Sequence, residues 1–122
     1  MEHPAARYAI NYGWVWGPEN PRLDKVARLA MTLGGADPEQ LDVLLDGWLD
    51  GLEYDVEHGT YFQGGFSVEV QGRGNGRVDI EFTSGGQDVA ESLGYAVDEF
   101  CNSVLDRLEA AKVTWTELPL QP

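Results

Sequence analysis

Basic residues are scarce in this sequence, and the middle of the chain has none. The 122 residues include 8 Lys and Arg against 21 Asp and Glu, which gives a net charge of −13. No lysine or arginine occurs between Arg28 and Arg73, although nine carboxylates do. Because proteins bind phosphates by neutralising them with Lys and Arg, this shortage argues against direct binding to nucleic acid or to an anionic membrane surface. We therefore expect a basic partner.

Cysteine and long apolar runs are also lacking. Cys101 is the only cysteine, so no disulfide can form within the chain. It lies in an apolar helical pattern, where we interpret it as a small buried hydrophobic residue. The first ten residues have no apolar segment typical of a signal peptide, and no apolar run approaches the ~18 residues of a membrane span. These absences predict a cytoplasmic protein.

The apolar residues that are present are sufficient for a core. They make up 43% of the chain, so at this length we predict a single acidic domain over residues 1–122. Alternation of apolar and polar residues predicts four strands, at 8–16, 66–70, 78–83 and 113–118. Asn75-Gly76 fits the tight turn between the two middle strands. The segment 72–77 is thus interpreted as a flexible hairpin tip, since it lacks the Gly-Lys-Ser/Thr ending of a phosphate loop.

Three segments show the 3.6-residue period of a helix. They are residues 21–33, residues 38–58 and residues 87–112. Gly47 and Gly51 weaken the second, and fraying after Gly51 is an alternative to one continuous helix. The order of elements predicts a ferredoxin-like βαββαβ fold with a helix pair as the first crossover. Such a fold has a four-stranded antiparallel sheet with its helices on one face; a less regular α+β fold fits as well.

Carboxylates recur at helical spacing in the region without basic residues. Six of them follow at steps of three or four: Glu39, Asp42, Asp46, Asp50, Glu53 and Glu57. On one continuous helix all six would point within an arc of roughly 80°. Because like charges at these spacings repel, the five steps cost about 1–2.5 kcal/mol at low salt. This stripe favours a surface that meets a basic partner, although charge that serves only solubility would also explain it.

Two aromatic residues are candidates for a hydrophobic anchor beside the stripe. Trp16 ends the first predicted strand, and Tyr61 lies in a loop flanked by glycines. Trp and Tyr are enriched at the energetic centres of protein interfaces. Packing in the core is the alternative explanation for both residues.

Residues for catalysis or metal binding are few. His58 lies next to Glu57 and near Asp55, but the only other histidine is His3, in the N-terminal segment. A lone histidine at a helix end is explained by contact with the last carbonyls. The serines have no His–Asp companions at a recognisable spacing. We predict no catalytic residue, no metal ligand and no cofactor.

The sequence therefore predicts a non-enzymatic acidic inhibitor that mimics nucleic acid. It would bind a basic nuclease or nucleic-acid-binding complex through the six carboxylates and occlude its nucleic-acid site. Immunity proteins of nuclease toxins and phage-encoded inhibitors of restriction or CRISPR machinery are small acidic proteins of this general class. The alternative is an acidic chaperone or adaptor, a homodimer that binds a protein cargo in an apolar groove. A third hypothesis is a small enzyme or ligand-binding protein with its site near His58.

Overall fold

The computed structural model describes residues 26–84 and 89–118, which form an α+β fold. The strands are β1 (Ala27–Gly34), β2 (Glu53–Asp55), β3 (Thr60–Gln63), β4 (Phe66–Gly74), β5 (Arg77–Ser84) and β6 (Lys112–Glu117). The helices are α1 (Pro38–Asp50) and α2 (Val89–Ser103), and a short 3-10 helix follows at Leu105–Arg107. The sheet order is β2-β3-β4-β5-β1-β6, and all neighbouring strands are antiparallel.

One face of the sheet carries the core. Alternate residues of β1 are buried, and their register places Leu29 opposite Phe82 on β5. Trp48 on α1 contacts this face, since its ring lies 6.2 Å from the ring of Phe82. Phe100 on α2 lies 5.1 Å from Trp48 and 5.9 Å from Phe82, measured between ring centroids. Both helices therefore pack on the same face of the sheet.

The opposite face of the central strands holds charges that pair with one another. Arg28 donates to both carboxylate oxygens of Glu81, at 2.7 and 3.0 Å, and Gln71 donates to the same carboxylate at 3.2 Å. Glu81 is only 8% exposed, and its carboxylate raises the pKa of Arg28. Because this carboxylate is already satisfied within the sheet, it is a poor candidate for binding a partner.

The predicted hairpin and last strand are confirmed. β4 and β5 pair directly, and both residues of the turn have positive φ angles, 56° at Asn75 and 77° at Gly76. The start of α1 is also as the sequence indicates. Pro38 lies in its first turn, and the Asp37 carboxylate accepts the N–H of Gln40 at 2.9 Å. These are local signals, and the tertiary structure leaves them unchanged.

The prediction of a helix over residues 21–33 is wrong where the structure describes it. From Ala27 to Gly34 the chain forms β1, which pairs with β5 on one side and β6 on the other. Ala27 and Leu33 fit both the helical period of 3.6 residues and the strand period of two. The residues between them alternate between apolar and polar or small side chains, which also fits a strand. Leu29 and Met31 are buried, and a central position between two strands overrides the helical preference of Ala, Leu and Met.

The four-stranded ferredoxin-like sheet is also wrong, because the sheet has six strands. The second predicted helix ends at Asp50 instead of residue 58, and the chain beyond Gly51 forms the β2–β3 hairpin. The third ends at Ser103 instead of residue 112. The strand predicted at 8–16, with Trp16, lies outside the described residues.

Candidate protein-binding surface

The apolar face of α1 determines which of its carboxylates reach solvent. Leu41, Leu45, Trp48 and Leu49 are buried against the sheet and α2. At 100° per residue this leaves four carboxylates on the exposed part of the helix, and all four are exposed: Glu39, Asp42, Asp46 and Asp50. The helix has no basic residue in its last turn. The structure thus keeps these four predicted residues on one helical surface.

Arg73, on β4, partly neutralises this surface from within the chain. Its guanidinium donates to Asp42 and to Asp46, in both cases over 2.9 Å between nitrogen and oxygen. The hydrogen bond that Arg73 donates to Asp42, and then the one it donates to Asp46, hold the pKa of Arg73 above its ordinary value. Both carboxylates remain more than half exposed. No sequence signal pointed to this pairing, because 27 residues or more separate the partners.

The other three predicted residues in the described chain lie on the β2–β3 hairpin. Glu53 begins β2, Glu57 lies in the turn, and Tyr61 is on β3. The single stripe of six carboxylates is therefore wrong, since the helix stops at Asp50. The result is two groups that are consecutive along the chain, four carboxylates on α1 and two on the hairpin.

Tyr61 is half-buried, whereas Tyr54 on the same hairpin is exposed. Tyr61 packs against the core and lies 4.8 Å from the ring of Tyr54, with which it pairs across the strands. Tyr54 is 51% exposed, and Val56 in the adjacent turn is 84% exposed. No sequence signal favours Tyr54 over Tyr61, because the apolar spacing predicts a helix through residue 58. An apolar anchor on this hairpin would use Tyr54 and Val56.

His58 stabilises the turn of the same hairpin. Its Nδ1 lies 2.6 Å from Oδ2 of Asp55, and the other oxygen of that carboxylate accepts the N–H groups of Glu57 and His58. The hydrogen bond with the His58 ring is the largest cause that lowers the pKa of Asp55. The imidazole thus has a structural contact within its own turn. Among residues 26–84 and 89–118, no group of His, Cys, Asp and Glu is arranged to hold a metal ion.

A cleft of about 310 Å³ lies between the β3–β4 turn and α2. Phe66, Tyr95, Ser92 and Glu91 contribute to its lining, and His58 does not. The side chain of His58 is 70% exposed and does not line this cleft. The cleft therefore does not support the hypothesis of a ligand site near His58.

The acidic residues between Glu91 and Glu109 do not form one helical stripe. Glu91 and Asp98 are on α2 and exposed, whereas Asp106 lies in the 3-10 helix and Glu109 follows it. Arg107 is exposed among them. The most coherent acidic surface of the described residues is therefore the exposed face of α1.

Within the described part of the chain, no helix has the length and apolar character needed to cross a membrane. Comparison with protein-family models, with curated proteins and with solved structures finds no match to this chain.

Proposed function

We propose that this protein is a non-enzymatic acidic inhibitor, of the immunity-protein or anti-defence kind, that binds a basic nucleic-acid-handling protein and occludes its nucleic-acid site. The observation that carries this proposal is the exposed surface of α1, where Glu39, Asp42, Asp46 and Asp50 meet no basic residue of their own helix. Glu53 and Glu57 add exposed charge on the β2–β3 hairpin, but Glu53 is in register with Phe62 and Ser67 on the face of the sheet away from α1. Such a field attracts a basic partner and speeds its encounter.

The positions of Asp46 and Asp50 lower the stability of α1. Asp50 is the last residue of α1, where the partial negative charge of the helix end disfavours a carboxylate. Asp46 lies four residues before it, and like charges at this spacing destabilise a helix by about 0.2–0.5 kcal/mol. Arg73 relieves only the Asp42–Asp46 pair. Because these two carboxylates destabilise the helix that carries them, a role in binding is a better explanation for them than a role in folding.

The shape of this surface limits the kind of mimicry we propose. A helix of 13 residues is about 20 Å long, compared with about 30 Å for the continuous helix that the sequence indicated. The surface is therefore a compact acidic patch, without the extended rod of charge of a nucleic-acid duplex. The inhibitor would block the partner's nucleic-acid site sterically, and its carboxylates would take the places of a few phosphates there.

The test is affinity capture from a bacterial lysate at low salt and at about 0.5 M salt, where exposed charges are largely screened. The binding variant combines Glu39→Gln, Asp42→Asn, Asp46→Asn and Asp50→Asn. A control with the same change in net charge combines Glu69→Gln, Glu91→Gln, Glu99→Gln and Glu109→Gln. We expect wild type and control, but not the binding variant, to retain a nucleic-acid enzyme and inhibit its activity. Equal behaviour of the two variants would contradict the proposal.

The dimeric chaperone or adaptor is the second candidate. It is favoured by the exposed large apolar side chains of the described residues: Val43, Tyr54, Val56, Phe62 and Tyr95. A homodimer would cover the hairpin residues among them, so its dissociation constant should rise in Tyr54→Ser combined with Val56→Ser. Sedimentation equilibrium over a range of concentrations measures this. A monomer at every concentration would count against this candidate.

A further inference from the structure

A groove separates α1 from the C-terminal end of α2 and the 3-10 helix. It has a volume of about 220 Å³ and is formed by Val43, Leu44, Gly47, Trp48, Ser103 and Arg107. Small-molecule sites usually occupy about 300–1,000 Å³. The groove is smaller than this range and open to solvent along α1, so its size favours a side chain over a free ligand. We call it the α1–α2 groove.

Two residues of the groove are not explained by packing within the protein. Val43 is 72% exposed, although its neighbours on the inner side of the helix are buried. Gly47 lies in the middle of α1, where glycine is less favourable than alanine. A Cβ at Gly47 would meet no atom within 4 Å. Packing in the described structure therefore does not require glycine at this position. Because Gly47 has no side chain, the groove beside it stays open.

Trp48 forms part of the wall of the groove. The residue is 6% exposed, and its indole nitrogen is buried without a hydrogen-bond partner in the described part of the chain. Buried polar groups are nearly always paired, so an unpaired donor is unfavourable. Because Trp48 lines the groove, the signal of its indole N–H serves as a probe of whether the groove is occupied.

We propose that the α1–α2 groove receives an apolar side chain from a basic amphipathic helix of the partner; this inference rests on the proposed function. On α1, the row of Val43 and Gly47 lies beside the row of Asp46 and Asp50, because each pair is four residues apart. A helix laid along α1 would place one apolar residue over Gly47 and basic residues against the two carboxylates. Such a helix would combine an apolar contact in the groove with ion pairs to the carboxylates of α1.

The opposite wall sets the orientation of that helix. Arg107 lines the groove and donates its Nε to the carbonyl oxygen of Asn102 at 3.2 Å. Its positive charge repels basic side chains on the α2 side. The partner's basic residues should therefore lie only on the α1 side, and a neutral or acidic residue should face Arg107.

The probe is a synthetic lysine–leucine peptide whose leucines recur at helical spacing. A second peptide has the same composition with lysine and leucine strictly alternating, so its charge is identical but it is not amphipathic as a helix. Binding is followed at low salt by fluorescence anisotropy and by the NMR signal of the Trp48 indole N–H, identified by its loss in Trp48→Phe. The variant Gly47→Leu fills the groove. Thr114→Leu adds the same side chain on β6, whose Thr114 is exposed and paired with Thr32 on the other face of the sheet.

We expect only the helically spaced peptide to shift the Trp48 indole signal. Its affinity for Gly47→Leu should be at least tenfold lower than for wild type and Thr114→Leu. Equal binding of both peptides to wild type and Gly47→Leu would show recognition by charge alone, which overturns the groove but leaves the proposed function. Failure of both peptides to bind wild type would contradict the acidic surface and the groove together.

Discussion

The backbone N–H of Ala36 donates to the carbonyl oxygen of Gly76 over 3.2 Å. This bond connects the loop before α1 to the turn of the β4–β5 hairpin. The same hairpin brings Arg73 to Asp42 and Asp46 on α1. The contact between two loop residues therefore helps to position the acidic surface relative to the one cation, within the described residues, that bridges two of its carboxylates.

The first prediction concerns Gly76, whose φ is 77° and where a Cβ would overlap the carbonyl oxygen of Ala36. We expect Gly76→Ala to lower the free energy of unfolding by about 2–4 kcal/mol, because backbone strain and overlap add. Gly35 has a φ of 74° and open space around a Cβ, so Gly35→Ala should cost only about 1–2 kcal/mol. Urea titration compares them. Equal losses would show that the Ala36 loop yields to the added methyl group.

The second prediction concerns the free energy of α1. Gly47→Ala should raise the free energy of unfolding by about 0.5–1 kcal/mol, because alanine has the higher helix propensity and its methyl group enters open space. Chemical denaturation measures the change. A loss of stability would mean that the space beside Gly47 serves packing within the chain, which would also remove one support for the α1–α2 groove.

The third prediction concerns the bridge from Arg73 to Asp42 and Asp46. The carboxylates are largely exposed, so we expect Arg73→Gln to cost only about 0.5–1 kcal/mol at low salt and less at high salt. Arg77→Gln is the matched control, since Arg77 is more exposed and has a longer contact, 3.4 Å to Asp79. Urea titrations at two salt concentrations give the difference. No coupling in double variants with Asp42→Asn or Asp46→Asn would refute the bridge.

The fourth prediction concerns pH and the turn of the β2–β3 hairpin. The pKa of Asp55 is lower in the folded protein than its ordinary 3.8, first because of the hydrogen bond with His58. Its ionised form therefore favours folding above that ordinary value, and the contribution disappears as the pH falls through the lower, folded-state pKa. The stability difference between wild type and Asp55→Asn should be larger at pH 6 than at pH 2.5.

The measurement for this fourth prediction is thermal unfolding of both proteins across that pH interval. His58→Gln should reduce the same pH-dependent difference, because it removes the first cause of the lowered pKa. A difference between wild type and Asp55→Asn that stays constant with pH would contradict the role assigned to the Asp55 carboxylate.

The elements predicted successfully depend on contacts between near neighbours. The β4–β5 hairpin follows from alternation and from a turn that needs positive φ angles, which Asn75 and Gly76 adopt. The start of α1 follows from Asp37 and Pro38, whose capping and φ preferences act within one turn. The end of α1 was ambiguous, because Glu53 and Glu57 continue the helical spacing although β2 pairs with β3.

The sequence by itself determined the excess of negative charge, the hairpin, the last strand and the four carboxylates on the exposed face of α1. Only the tertiary structure decided that residues 27–34 form a central strand, because their apolar residues fit both periods and pairing with β5 and β6 selects one. It also decided that Arg73 meets Asp42 and Asp46, and that Gly47 lies beside an open groove. These relationships join residues far apart in the chain, where spacing carries no information about contact.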